Sequence, residues 1–414
     1  MLAIVLLMSS AVATDFCLYL LCACSRRTGT KTYIEVARVA FGAPGAVFAT
    51  LVLLTLMFFV YVAYMILARD IWTSLIEVLW GGGDFSPDQQ NLLLLVILIL
   101  NLPACVQRDL HALRHICYVG FFSAVLLTLA IGYRCVEYNT QYPKATAQVK
   151  LVSTCLEDIL STVPILSLAF LCQFNMLGVH ASFVNPTRER VKSILHGSMS
   201  MAASLYIMLG LMGSLYAYDN TRDDILLNFS ANDKVVLLGR LGMGFTMFAA
   251  MPMICVPCRD ALQSLWAQLW AGIRSVIEAD HHGVVTADER APLTSGTTAT
   301  ATAKTNADTA AAAEDDDTVS PVIKMLVHFV LTVAIMGTCY MVAVSLPGVA
   351  VVWSICGSSV GFLVSFGMPC MFYLRIRRKK AWNVRKACAW LLLGITGLLM
   401  YFCTAQAIKN SQAP

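Results

Sequence analysis

Apolar residues run along this chain in long unbroken stretches instead of alternating with polar ones. Ten stretches reach the roughly 17 residues that a helix needs to cross a bilayer core: 1–24, 44–67, 90–106, 116–133, 159–183, 194–217, 235–257, 322–346, 349–374 and 388–407. Continuous runs without a two-residue period exclude an outer-membrane barrel. The pattern predicts an all-α polytopic membrane protein embedded in a lipid bilayer.

One connection is long. Its middle, Thr294 to Thr318, is mostly Thr, Ala and Asp and closes on Glu314-Asp315-Asp316-Asp317, too little apolar area to fold. The chain therefore divides into 1–257 with seven spans, a loop over 258–321 that is disordered in its middle, and 322–414 with three spans and a short external tail. The threonines of that loop also suit a phosphorylation-controlled insert.

Composition agrees. AVILMFWYC make up 58% of the 414 residues, and Asp, Glu, Lys and Arg only 13%, against about 25% in soluble chains. A net charge of +4 is too small to suggest a nucleic-acid partner. The charges are unevenly placed: sixteen Lys and Arg fall in the alternate segments 25–43, 107–115, 185–193 and 374–387, and seven in the opposite ones. Basic loops mark the cytoplasmic side, so both termini fall outside and the long loop falls inside. An external start with no hydrophilic leader before Met1 points to an absent first helix. The rival reading is a signal peptide, with Leu2 to Met8 as its apolar core and Ala11-Val12-Ala13 as its cleavage site.

Most of the fifteen Cys lie inside apolar spans, where Cys behaves as a small hydrophobe. Cys22-Ala23-Cys24 and Cys255-Val256-Pro257-Cys258 lack the further ligands of a zinc site, so no metal is expected. Cys135 and Cys155 share the external loop 134–158 and are a candidate disulfide. Asn228-Phe229-Ser230 is a candidate glycosylation sequon on the same side. Gly357 and Gly361 form a GxxxG spacing, which lets helices approach closely inside a bundle or between two copies. HExxH and P-loop motifs are missing, so neither an enzyme nor a cofactor is expected.

Charges inside spans are expensive, so each is a functional candidate. Asp15 lies in the first span. Arg240 lies six residues past Lys234 and could snorkel outward. His180, His196 and His328 sit near span ends and read as interfacial. The span 159–183 differs from a uniform Leu/Val helix in carrying Pro164, Ser167, Cys172, Gln173, Asn175 and Gly178. Such a helix can break and leave polar groups at the midplane, as in transporters. The second irregular span is 235–257, with Pro252, Pro257, Gly239, Gly242, Gly244 and the hydroxyl of Thr246.

Several blocks resemble the amino acid/auxin permease family, in particular the amino acid transporters of trypanosomatid parasites. They are Arg27-Thr28-Gly29-Thr30-Lys31-Thr32-Tyr33-Ile34-Glu35 before Phe41-Gly42; Phe170-Leu171-Cys172-Gln173 leading to Asn185-Pro186-Thr187; Asp224-Ile225-Leu226-Leu227-Asn228-Phe229; and Arg240 through Pro252 to Pro257-Cys258-Arg259. The resemblance implies the inverted-repeat fold of the amino acid, polyamine and organocation carriers. It also implies eleven spans, of which this chain matches the second through the eleventh. The unwound first span of that family supplies backbone amides for the substrate carboxylate. Its absence leaves two readings, an internal methionine at Met1 or a truncated relative.

The resemblance further implies secondary active transport of an amino acid by alternating access. Ser167, Cys172, Gln173 and Asn175 would hold the substrate, and Asp15, Arg240 and Thr246 would serve coupling or gating. Many members have His at the position of Gln173. Sodium-coupled members carry hydroxyls where this chain has Phe248 and Ala250, which favours a proton, or facilitated exchange, over sodium. The alternatives are a non-transporting amino acid sensor that signals through its long loop, and an inactive truncated carrier. The residues leave open the plasma membrane or an acidic organelle, the amino acid carried, and the oligomeric state.

Overall fold

The computed structural model describes residues 2–80, 85–107, 114–141, 156–184, 187–218, 222, 225–230, 233–285, 321–346 and 348–412. Its elements are α1 (Leu2–Thr28), α2 (Tyr33–Trp80), α3 (Pro87–Val106), α4 (Arg114–Gln141), α5 (Leu156–Ala169), α6 (Gln173–Ser182), α7 (Arg188–Ala217), α8 (Lys234–Val285), α9 (Pro321–Ser345), α10 (Val349–Ile376) and α11 (Val384–Gln412). A 3-10 turn spans Ile225–Asn228. With α5 and α6 sharing one crossing, ten of these units are long and apolar enough to span a membrane. The expected all-α polytopic architecture is the one observed.

Local chemistry sets the helix ends. Gly29 adopts a left-handed φ of 74° and donates its N–H to Ser25 O at 2.8 Å, closing α1. Ser86 and Gln89 form a reciprocal capping box at the start of α3, with Pro87 in its first turn. Inside α2, Gly42 has φ 77° and ψ −162°, so a short helix over 33–41 turns sharply into the span. Within that short helix Tyr33 is buried, with its ring 5.3 Å from Phe372 and its hydroxyl donating to Val364 O at 3.1 Å.

Two expectations are corrected. The region 235–257 is not broken: α8 continues through Pro252 and Pro257 to Val285, so the segment expected as a loop from residue 258 begins as helix. The polar stretch Thr294 to Thr318 lies outside the described residues. Asn101 of α3 donates to the Phe248 carbonyl, the acceptor that Pro252 leaves without its helical N–H. The α8 glycines serve close packing instead. A Cβ at Gly239 would come within 2.7 Å of Leu127, and one at Gly242 within 2.8 Å of Ser123, both on α4.

The second irregular span is α10, where the α-helix widens into π turns at Gly357–Gly361 and Leu363–Gly367. Nothing in its hydropathy marked it. The Gly357/Gly361 spacing does mark a close contact inside the bundle: a Cβ at Gly357 would stand 2.6 Å from the Pro164 carbonyl oxygen, and one at Gly361 2.8 Å from Leu168.

Polar ties join helix ends at both ends of the bundle. At one end Lys409 Nζ meets Glu157 at 2.7 Å, and Arg134 Nη2 donates to Asp233 Oδ1 at 2.8 Å while also pairing with Glu137. At the other end Arg259, 1% exposed, donates to the carbonyls of Cys105 and Gln107 and to Thr332, joining α3, α8 and α9. Arg375 donates to Ala40 O at 3.3 Å.

Arg240 corrects a further expectation. It does not reach outward to water: it is 2% exposed and donates to the carbonyls of Leu226 at 2.6 Å and Phe229 at 2.9 Å. The guanidinium supports the external turn from beneath. Asp233 caps α8 by accepting from Val235 N at 3.0 Å. Burial alone would raise its carboxyl, but the hydrogen bonds from Arg134 and the backbone amides prevail and hold it below the usual carboxylate range.

Two outcomes follow. Gly357→Ala presses a methyl against a backbone carbonyl and should lower stability by about 1–3 kcal/mol, whereas Gly394→Ala, with nothing within 4 Å, should not. Thermal unfolding in detergent compares them. Because the folded Asp233 titrates below its unfolded value, its stabilisation is complete above about pH 4 and is lost only as pH falls through the folded value. The parent and Asp233→Asn should therefore differ by a constant amount from pH 7 to pH 5 and converge in stronger acid.

Candidate functional site

The break between α5 and α6 spans Phe170 to Cys172. In a continuous helix the Cys172 N–H would go to the Leu168 carbonyl; here it goes to the Gln173 side-chain oxygen at 2.9 Å, while Leu168 O accepts from Leu171 N at 3.0 Å. Cys172 takes φ −142° and ψ 6°, outside helical values. The carbonyls released at the end of α5 find side chains from neighbouring spans. Leu166 O accepts from Ser10 at 3.2 Å, and Ala169 O from Tyr206 at 2.9 Å, whose ring also meets Phe170 at 5.3 Å. Ser167 donates to Pro164 O at 2.7 Å.

On the other side of Gln173, its amide nitrogen donates to Ser365 O at 3.2 Å, in the second π turn of α10. Gln173 is fully buried. One side chain thus stitches the two irregular spans together, with both of its polar ends used by backbone.

The break faces a cavity of about 270 Å³ between α2, α5/α6, α8 and α10. Its walls are mostly apolar: Leu56, Met57 and Val60 from α2, Leu168 and Phe174 beside the break, Met253 and Ile254 from α8, and Trp353. Polar groups are few. Asn175 and Tyr64 line it, and neither side chain makes a hydrogen bond among the described residues. Pro257 also lines it and cannot supply the N–H that the Met253 carbonyl would receive in an ordinary helix. Among the described residues no Asp, Glu, Lys, Arg or His lines this cavity.

Of the residues expected at the substrate, Asn175 alone lines the cavity. Ser167 and Gln173 are committed to backbone carbonyls, and Cys172 is half-buried at the break. Tyr64 and Trp353 were missed because each is one aromatic among many in apolar runs. Thr246 donates to Gly242 O at 2.7 Å in its own helix and packs against Gly120 of α4. Asp15 carries a partner that the sequence did not offer it: His196 Nδ1 lies 2.8 Å from its carboxylate, pairing α1 with α7 away from the cavity. His180 is buried.

Cys155 of the candidate disulfide lies outside the described residues, and Cys135 is buried beside Asn139, whose amide lies 3.5 Å from its sulfur. Asn228 is half-buried and accepts from Arg222 N at 2.9 Å. Among the described residues no group of three or more His, Cys, Asp or Glu could hold a metal ion.

A family model described as transmembrane amino acid transporter protein matches residues 1–409. Among curated relatives, the putative sodium-coupled neutral amino acid transporter 11 of Bos taurus is 27% identical over 275 residues, 64% of this chain and 57% of the relative. The human protein of that name is 25% identical, over 64% and 65% of the two chains. Human solute carrier family 38 member 10 is 26% identical over 274 residues, 64% of this chain and 23% of the relative. The chain thus spans less than two thirds of each of these relatives. The family match, however, runs through all ten candidate spans, and the chain belongs to the transmembrane amino acid transporter family.

Proposed function

We propose that the protein is a secondary carrier that moves a neutral amino acid by alternating access, with the substrate seated in the cavity beside the α5/α6 break. The observation that carries this reading is the break itself, opening on a cavity that holds unpaired polar groups within apolar walls. A helix interrupted at mid-span places backbone amides and carbonyls where a zwitterion needs them. The start of α6 offers its first N–H groups and positive dipole end to a carboxylate. The Met253 carbonyl of α8 and the Asn175 oxygen in the first turn of α6 can accept from an ammonium. Tyr64 adds a hydroxyl. The apolar walls suit an uncharged substrate side chain, in accord with the word neutral in the relatives' names.

Those names also carry sodium. The residues here favour a proton: Phe248 and Ala250 offer no hydroxyl, and the Thr246 hydroxyl is turned into its own helix. Asp15 with His196 is the titratable pair positioned to take part, because it joins two spans whose relative motion would make or break it.

Uptake of radiolabelled neutral amino acids into transport-deficient cells, normalised to surface amount, tests the site. Tyr64→Phe and Asn175→Ala should each raise the half-saturating concentration about 2–10-fold, the loss of one net hydrogen bond, with surface amount unchanged. Gln173→Ala should instead lower surface amount and thermal stability, because it strands two backbone groups. Unchanged kinetics for both Tyr64 and Asn175 variants would remove the substrate from this cavity. For coupling, a protonophore should reduce uptake and replacement of sodium should not, and Asp15→Asn should flatten the pH dependence. The opposite ion response would assign coupling to sodium.

A further inference from the structure

A second open cavity, of about 440 Å³, lies between the inner halves of α1 and α7 and the start of α11, and shares no lining residue with the first. Its two ends differ in chemistry. Arg188, Lys192 and Arg385 line it toward the end of the bundle that carries the basic loops, and all three are exposed. Val12 and Phe16 line it deeper along α1, with Val12 65% exposed. From Phe16 to Arg26 the helix rises roughly 15 Å at about 1.5 Å per residue, about the depth of one leaflet's headgroup and upper acyl region.

Tyr19 stands between the two ends. Its ring centroid lies 6.0 Å from the Arg26 guanidinium carbon and 5.2 Å from that of Arg385, so two cations gather around one aromatic ring. Two carboxylates also line the groove. Asp15 is engaged by His196 at 2.8 Å, which leaves Glu189 to oppose the Arg and Lys groups. Beside the groove's α11 wall, Trp382 is 71% exposed, the position of an interfacial aromatic.

Cations at headgroup depth, followed inward by the half-buried Phe16 and the exposed Val12, match one occupant. We infer that this groove binds the headgroup of an anionic phospholipid of the cytoplasmic leaflet, with Arg188, Lys192 and Arg385 holding the phosphate and an acyl chain lying over Phe16 and Val12. A soluble phosphate would use the mouth and leave the apolar end uncovered. A zwitterionic lipid presents its own cation to the basic cluster. The inference is independent of which amino acid, if any, the first cavity holds.

Native mass spectrometry of the full chain, released from phosphatidylcholine nanodiscs containing a minor fraction of phosphatidylserine, tests it. Phosphatidylserine should be retained in preference to phosphatidylcholine. Arg188→Gln, Lys192→Gln and Arg385→Gln should each weaken retention about fivefold, the effect of one basic residue near a membrane surface. Lys31→Gln, an exposed cation on the same face, should leave it unchanged. Retention in the parent should also fall as salt rises from about 0.1 to 0.5 M, a readout that needs no variant to fold. Equal retention of the two lipids, insensitivity to salt, or folded variants that keep the parent's phosphatidylserine would overturn the inference. Displacement of the lipid by glycerophosphate at matching concentration would overturn it in favour of a small-anion site.

Discussion

A backbone carbonyl inside a bilayer has no water to turn to, so any departure from the regular helix must come with a donor from elsewhere in the protein. This bundle departs twice, at the α5/α6 break and at the π turns of α10, and in each case side chains from other spans arrive. Ser10 and Tyr206 serve the end of α5, Gln173 and Tyr33 serve Ser365 and Val364 of α10, and Thr404 of α11 serves Ser358. Asn101 does the same for the carbonyl behind Pro252. The irregular spans are thereby each tied to several neighbours. Their disorder of hydrogen bonding is local; their position is fixed from several sides.

That economy explains the shape of the candidate site. Polar groups in the region are either consumed in repairing the backbone, as Gln173 and Ser167 are, or left over facing the cavity, as Tyr64 and Asn175 are. A sequence displays both kinds alike. What separates them is whether a carbonyl lies within reach in the folded bundle, a relation between residues far apart in the chain, 192 positions in the case of Gln173 and Ser365.

The same reasoning says how far the sequence could be read. The ten spans, the basic loops and the broken character of 159–183 were legible, because hydropathy, charge and Pro164 are local properties. The π turns of α10 were not, since Gly357 to Gly367 lies within a span of ordinary hydropathy and its widening depends on what packs against it. Pro252 and Pro257 misled in the opposite direction: α8 runs on through both, with Asn101 serving the carbonyl that Pro252 frees. Asp15 was singled out for its charge, but its partner His196 could not be, because pairing across α1 and α7 is set by packing alone.

Helix α8 is continuous from Lys234 to Val285. At about 1.5 Å per residue it is a rod of roughly 78 Å, more than twice the roughly 30 Å of a bilayer core. Met253 and Ile254 touch the first cavity, and the far tip lies some 48 Å beyond Met253 along the axis. A tilt of about 5° at the cavity would sweep that tip through roughly 4 Å, by the geometry of the same rod. The rod works as a pointer: a small displacement at the cavity becomes a movement of side-chain dimensions at the far tip of α8.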